Sequence, residues 1–280
     1  MAVTSQAVTS RTADRTAGEG AVVPPRADCV ADPAGGLVLD LTGFGDADGA
    51  HLVLRHRDGG QEVRLPLAPA ADGRPRAVLP GGAELPEGCW DAFAQSAGGT
   101  AERLVSGLND LRSLVDRVPD GADDRIGVRI PYATKHGNLS VRSWLRAPHA
   151  EAGELHPGQE ALEVRGRVYG AALTPDAYAE LAGRAGEEPR RAGVHRDGAE
   201  FRFTVVWAGL PQGDRDLWLR PAGEDGPRVR IARLLDDIVD KQSVLVYPKV
   251  TLETERGAVT AGPYYTTDND LAVTVTAADS

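Results

Sequence analysis

The chain has 280 residues, of which 41% are hydrophobic and 5% aromatic, with 33 Gly and 19 Pro. That length and apolar content support one or two ordinary packed domains, and the Gly and Pro content supports many tight turns. A net charge of −10 opposes sequence-independent nucleic-acid binding and insertion at anionic membrane surfaces, both of which need basic protein surface.

Residues 1–34 read as a disordered tail. Ala, Thr, Ser and Arg dominate up to Arg26, a secretory apolar segment is missing, and Pro24-Pro25 closes the stretch. Nothing in the chain approaches the roughly 20 apolar residues that cross a bilayer, so a cytoplasmic location is expected. Cys29 and Cys89 are expected to be unpaired thiols, and no zinc-type Cys/His spacing occurs.

Strand patterns then dominate. Leu37 to Leu41 and His51 to Arg57 come first, the second ending in an Asp58-Gly59-Gly60 turn. Glu62 to Leu67 alternates Val63, Leu65 and Leu67 with polar partners, the mark of a half-buried antiparallel strand. Further strands are expected at Arg76 to Leu79, Gly88 to Phe93, Ile126 to Ile130 and Leu139 to Trp144. In the second half they fall at Leu162 to Tyr169, Glu200 to Val206, Asp216 to Arg220, Val229 to Ile231, Ser243 to Tyr247 and Leu271 to Thr276. Thr174 to Ala182 fits a helix capped by Thr174 with Pro175 at its first position, or equally a strand. Leu108 to Val115 fits one helical turn or a loop.

The two halves repeat each other. Pro131-Tyr132-Ala133-Thr134 through Leu139-Ser140-Val141 recurs as Pro263-Tyr264-Tyr265-Thr266 through Leu271-Ala272-Val273. Upstream, Asp72-Gly73, Leu85-Pro86 and Asp91 match Asp197-Gly198, Leu210-Pro211 and Asp216. The offset then widens, which implies a longer loop in the second copy. The expected fold is all-β: two tandem immunoglobulin-like β-sandwich domains related by internal duplication. Their bounds are 35–146 and 161–280, joined by a polar linker at 147–160.

The repeated Pro-Tyr element reads as strand, primed turn, strand. Tyr132 and Tyr264 would bond backbone as tyrosine corners, and Thr134 and Thr266 would accept from turn amides. Among the tryptophans, Trp90 and Trp218 read as core. Trp144 and Trp207, near strand ends, with Tyr169 and Tyr178 are the candidate ligand-binding residues, since an exposed ring can stack on a sugar face. The acidic pairs Asp123-Asp124 and Asp236-Asp237 and the run Asp268-Asn269-Asp270 lack the spacing of a calcium loop and read as turn residues. No nucleophile elbow or phosphate-binding glycine loop occurs, so no catalytic residue, metal or cofactor is assigned.

The Pro131 to Val141 element and the run Asp216-Leu217-Trp218-Leu219-Arg220 resemble β-rich accessory regions of glycosyltransferases and glycerophosphotransferases of cell-wall polymer synthesis. The chain as a whole resembles small actinobacterial proteins carrying a generic transferase label. The preference for Arg over Lys, present only as Lys135, Lys241 and Lys249, agrees with a GC-rich genome of that kind. The resemblance implies a non-catalytic accessory protein of surface glycopolymer biosynthesis, binding a glycan or a glycosyltransferase partner. One alternative is a transferase whose site lies in the interdomain cleft, using Asp236, Asp237, His149 and His156. The other is a structural interaction module, with a homodimer forming through sheet edges.

Overall fold

A computed structural model describes residues 23–115, 117–119, 125–183, 187–255 and 257–278. It is almost entirely β-structure. The first half opens with β1 (Arg26–Ala31), β2 (Leu37–Thr42), β3 (His51–His56), β4 (Glu62–Pro66), β5 (Ala68–Pro69) and β6 (Pro75–Leu79). It closes with β7 (Gly88–Gln95), β8 (Ala101–Arg103), β9 (Val105–Asp110), β10 (Ile126–Ala133) and β11 (Leu139–Arg146). The second half runs β12 (His149–Pro157), β13 (Ala161–Tyr169), β14 (Tyr178–Ala182), β15 (Arg190–Asp197), β16 (Glu200–Val206) and β17 (Gly213–Arg220). It ends with β18 (Val229–Ala232), α1 (Lys241–Val244), β19 (Val250–Thr254), β20 (Gly257–Tyr265) and β21 (Leu271–Ala277).

In the first half, one sheet has the order β5-β6-β2-β1-β9 and the other β10-β11-β7-β3-β4, with β8 added to β7. Both cover one core containing Leu37, Leu39, Leu52, Leu54, Trp90 and Trp144. The second half follows the same pairing order. β12 pairs β13 antiparallel and β18 parallel, as β1 pairs β2 and β9. β17 lies between β14 and β21, as β7 lies between β3 and β11. In the second half, however, β15 pairs both β14 and β16, and β18 pairs both β12 and β17. Those two strands join the sheets, so seven strands close into a barrel rather than facing each other as separate layers. Alternation sets the inward faces: Phe201, Phe203 and Val205 point into the core of β16 while Arg202 and Thr204 point out.

Several expectations change. Part of the expected tail is β1, and residues 1–22 lie outside the described residues, as do Asp123 and Asp124. The expected linker, 147–160, is mostly β12. Both strands escaped notice because their inward residues are small: Ala27, Cys29 and Ala31 in β1, Ala150 and Ala152 in β12. Thr174 to Ala182 resolves into a turn followed by β14, and Ser243 to Tyr247 begins in α1 rather than a strand. The Pro-Tyr turns each carry a single left-handed residue, Gly137 at φ 77° and Asn269 at φ 61°. The Gly137 and Asn269 amides donate to Thr134 and Thr266 carbonyls, giving a type I turn with a bulge rather than a primed turn.

Candidate functional site

The sheet that carries the Pro-Tyr hairpin turns its outer face to solvent in each half, and the register places equivalent residues in the same rows. In the first half the register sets Arg64 opposite Val53, Val53 opposite Phe93 and Phe93 opposite Arg103 across β4, β3, β7 and β8. The matching row of the second half is Arg191, Glu180, Trp218 and Arg230 across β15, β14, β17 and β18. The next row is Arg55, Asp91, Ser140 and Tyr132 in the first half, and Ala182, Asp216, Ala272 and Tyr264 in the second. A third row holds Cys89 and Arg142 against Asp214 and Thr274.

Each aromatic ring sits under guanidinium groups. Arg55 and Arg103 lie 4.6 and 5.1 Å from the Phe93 centroid. Arg228 and Arg230 lie 4.2 and 4.6 Å from that of Trp218. These are cation–π distances. The adjacent carboxylates hold the guanidiniums in place: Asp91 receives Arg57 at 2.7 Å, Arg103 at 2.9 Å and Ser140 Oγ at 2.7 Å. Asp216 meets Arg230 at 2.7 Å, and Glu180 receives Arg220 at 2.9 Å and Arg228 at 2.7 Å. Burial raises the Asp91 and Glu180 carboxyls, but the arginine contacts outweigh it and leave both below the usual carboxylate range. Trp218 is half-buried, and among the described residues its enclosed indole N–H has no acceptor. Nearby Tyr178, also half-buried, lies 4.6 Å from the Arg191 guanidinium.

The tyrosines of the repeated hairpin belong to this face, not to a tyrosine corner. The Tyr132 hydroxyl donates to Cys89 Sγ at 3.6 Å, a weak bond to sulfur. Burial, then Asp214 and Asp216, push Tyr264 up to about 12. Thr134 and Thr266 do accept turn amides, from Asn138 and from Asp268 and Asp270.

The halves meet where the β20–β21 turn docks on β11. Arg142 pairs with Asp268, Trp144 Nε1 donates to the Asp268 carbonyl at 3.0 Å, and Arg146 meets Asp270 at 2.7 Å. Behind this contact lies a buried polar cluster. Glu151 accepts His149 Nε2 at 2.7 Å and the Leu234 and Leu235 amides. Fully buried Lys241 meets Asp236 at 2.7 Å and donates to the Ile238 carbonyl, while Arg233 holds the other Asp236 oxygen. Burial pulls the Lys241 ammonium below its ordinary value against Asp236 and Glu151. A cleft of about 440 Å³ opens beside the junction, lined by Leu108 to Arg112, Val115 and Asp237.

The sequence-named residues fare unevenly. Trp144 and Trp207 are 1% and 2% exposed, so neither is a surface platform. Trp144 is covered by the second half's hairpin turn, and Trp207 packs in the second core while its Nε1 donates to the Gly158 carbonyl. Tyr169 is half-buried beside His149 at the junction. Tyr178 alone of the four lies on the outer face. His149 and Asp236 enter one cluster, but both are tied to internal partners. His156 pairs with exposed Glu154, and Asp237 faces the cleft, so the expected catalytic group does not assemble. Trp218 was missed as a surface residue although alternation marks it: Leu217 and Leu219 are fully buried, so the residue between them points outward. Its equivalent is Phe93; the place of Trp90 is taken by buried Arg215.

No protein-family description and no curated protein matches the chain. Among solved structures, it is similar to residues 217–571 of S. aureus TarS at 16% identity and a TM-score of 0.32, covering 68% of this chain and 57% of that one. A longer S. aureus TarS structure matches at 13% identity and a TM-score of 0.30, covering 69% and 38%. A pullulanase from Anoxybacillus sp. LM18-11, crystallised with maltotriose, matches at 12% and 0.23, covering 69% and 24%. The chain thus spans under two thirds of each of these structures, and scores at this level transfer neither fold nor activity. Among the described residues no helix is long and apolar enough to cross a membrane.

Proposed function

We propose that the chain is a non-catalytic glycan-binding protein, accessory to surface glycopolymer biosynthesis, built from two copies of one β-unit. The matching pairing order and row register of the halves support the duplication. The observation that carries the binding function is Trp218. Its half-buried ring lies against the Arg228 and Arg230 guanidiniums on the same outer sheet face as Tyr178, and its N–H has no acceptor among the described residues. An apolar ring with a polar edge suits the C–H face of a sugar. The buried His149, Glu151, Asp236 and Lys241 cluster does not favour catalysis, because its groups bond one another and the backbone.

Titration calorimetry against wall glycopolymer fragments tests this reading. Saturable heat is expected, with Trp218→Ala weakening binding about tenfold, the scale of a lost stacking contact, at a stability cost of about 1–2 kcal/mol from the two lost cation–π contacts. Absence of heat, or wild-type affinity in Trp218→Ala, would overturn it.

A further inference from the structure

The two outer faces share a scaffold but differ in charge. Arg55 and Arg142 of the first half stand where the second has Ala182 and Thr274, and Val53 and Cys89 stand where it has Glu180 and Asp214. We infer that the first half's face is a subsite for the negative groups, phosphate or carboxylate, of a charged polysaccharide, while the second half's face takes neutral sugar surface. This assignment rests on the glycan-binding reading above and adds a ligand class to it.

The charge pattern is built for an anion. Glu62 is shared by Arg55 at 3.0 Å and Arg64 at 2.9 Å, and Asp91 by Arg57 and Arg103. Each shared carboxylate therefore leaves one positive charge over. Arg55, Arg57, Arg64, Arg103 and Arg142 face Glu62, Asp91 and the rim residue Asp268, a surplus of two on a chain whose net charge is −10. Among the described residues, Arg191, Arg220, Arg228 and Arg230 face Glu180, Asp214, Asp216, Glu224 and Asp270, which leaves them without a surplus. Arg55 and Arg57 side chains are 45% and 43% exposed, so their remaining N–H groups are open to a ligand oxygen. A guanidinium fork matches phosphate and carboxylate geometry.

Nucleic acid fits less well. Single strands stack successive bases along a run of rings, and this face carries only Phe93 and Tyr132 among its described rows, in separate rows and both half-buried. Rows two residues apart along a strand lie about 6.8 Å from each other and adjacent strands about 4.8 Å. The guanidiniums therefore spread over a sheet face rather than converging in a single small-ion pocket.

The test compares dextran, phosphorylated dextran, carboxymethyl-dextran and a single-stranded oligonucleotide on the intact chain, at low and at physiological salt. Phosphorylated or carboxymethylated dextran is expected to bind more tightly than dextran, with affinity falling as salt rises; whichever is tighter names the anion. Arg55→Glu is expected to weaken the charged polymer about fivefold, the scale of reversing an exposed charge contact, without altering dextran binding. Arg191→Glu, the second-half control, is expected to leave the charge preference intact. Equal binding of charged and neutral dextran would overturn the anion subsite but leave glycan binding standing. Oligonucleotide binding as tight as the charged dextran would overturn the assignment to a polysaccharide. Binding of none would overturn both readings.

Discussion

At the scale of single residues, the outer faces depend on carboxylates held between guanidiniums. Asp91 and Glu180 have folded pKa values below their unfolded ones, so each contributes stability above the ordinary carboxylate pKa near 4. That contribution is lost as pH falls through the depressed folded values. Melting temperature is therefore expected to drop steeply below about pH 4, and Asp91→Asn or Glu180→Gln to flatten the drop while lowering stability at neutral pH. Thermal melts across the acid range measure it; an unchanged acid slope in both variants would show that other groups govern it. The same scale shows how far a residue type misleads. A tryptophan near a strand end looked exposed at 144 and 207, yet both rings are buried and both indole N–H groups found backbone carbonyl acceptors.

At the scale of elements, the repeated hairpin does different work in each half. The turn after β10 stays with its own half, where the Ser106 amide donates to the Gly137 carbonyl. The turn after β20 also reaches across to β11 through Asp268 and Asp270. Asp270 is 3% exposed and binds both Arg146 and Arg230, whereas the Asp268 side chain is 59% exposed. Asp270→Ala is expected to cost about 3 kcal/mol, because it leaves two guanidiniums without their shared carboxylate. Asp268→Ala is expected to cost under about 1 kcal/mol. Denaturant unfolding compares them, and similar losses in both would contradict the assigned roles. The hairpin sequence announced its turn through Gly137 and Asn269, since a left-handed backbone favours Gly and Asn. What the second turn docks on was not legible, because the docking partners lie more than a hundred residues away in the chain.

At the scale of the whole molecule, the halves are continuous. Leu234 and Leu235, which follow β18, pack into the first half's core beside Ala232, and Tyr169 and Val239 lean on it. Leu234→Ala is expected to cost about 2–5 kcal/mol and to lower the unfolding midpoint of the first half, followed through the buried Trp90 and Trp144. Two transitions, with the first half's unaffected, would show that the halves unfold independently. The sequence by itself determined that the chain is β-rich, where most strands run, which side of β16 faces inward, and that the Pro-Tyr element occurs twice. All of these are local, since they follow from alternation and turn chemistry within a few residues. Only the tertiary structure decided that β1 and β12 are strands, because Ala and Cys carry too little apolar signal until a neighbouring strand pairs with them. It also decided that the second half closes into a barrel, that Trp144 is covered, and that arginines from four strands share one face. Those outcomes depend on which distant strands pair and in which register, and no short stretch of sequence encodes that choice.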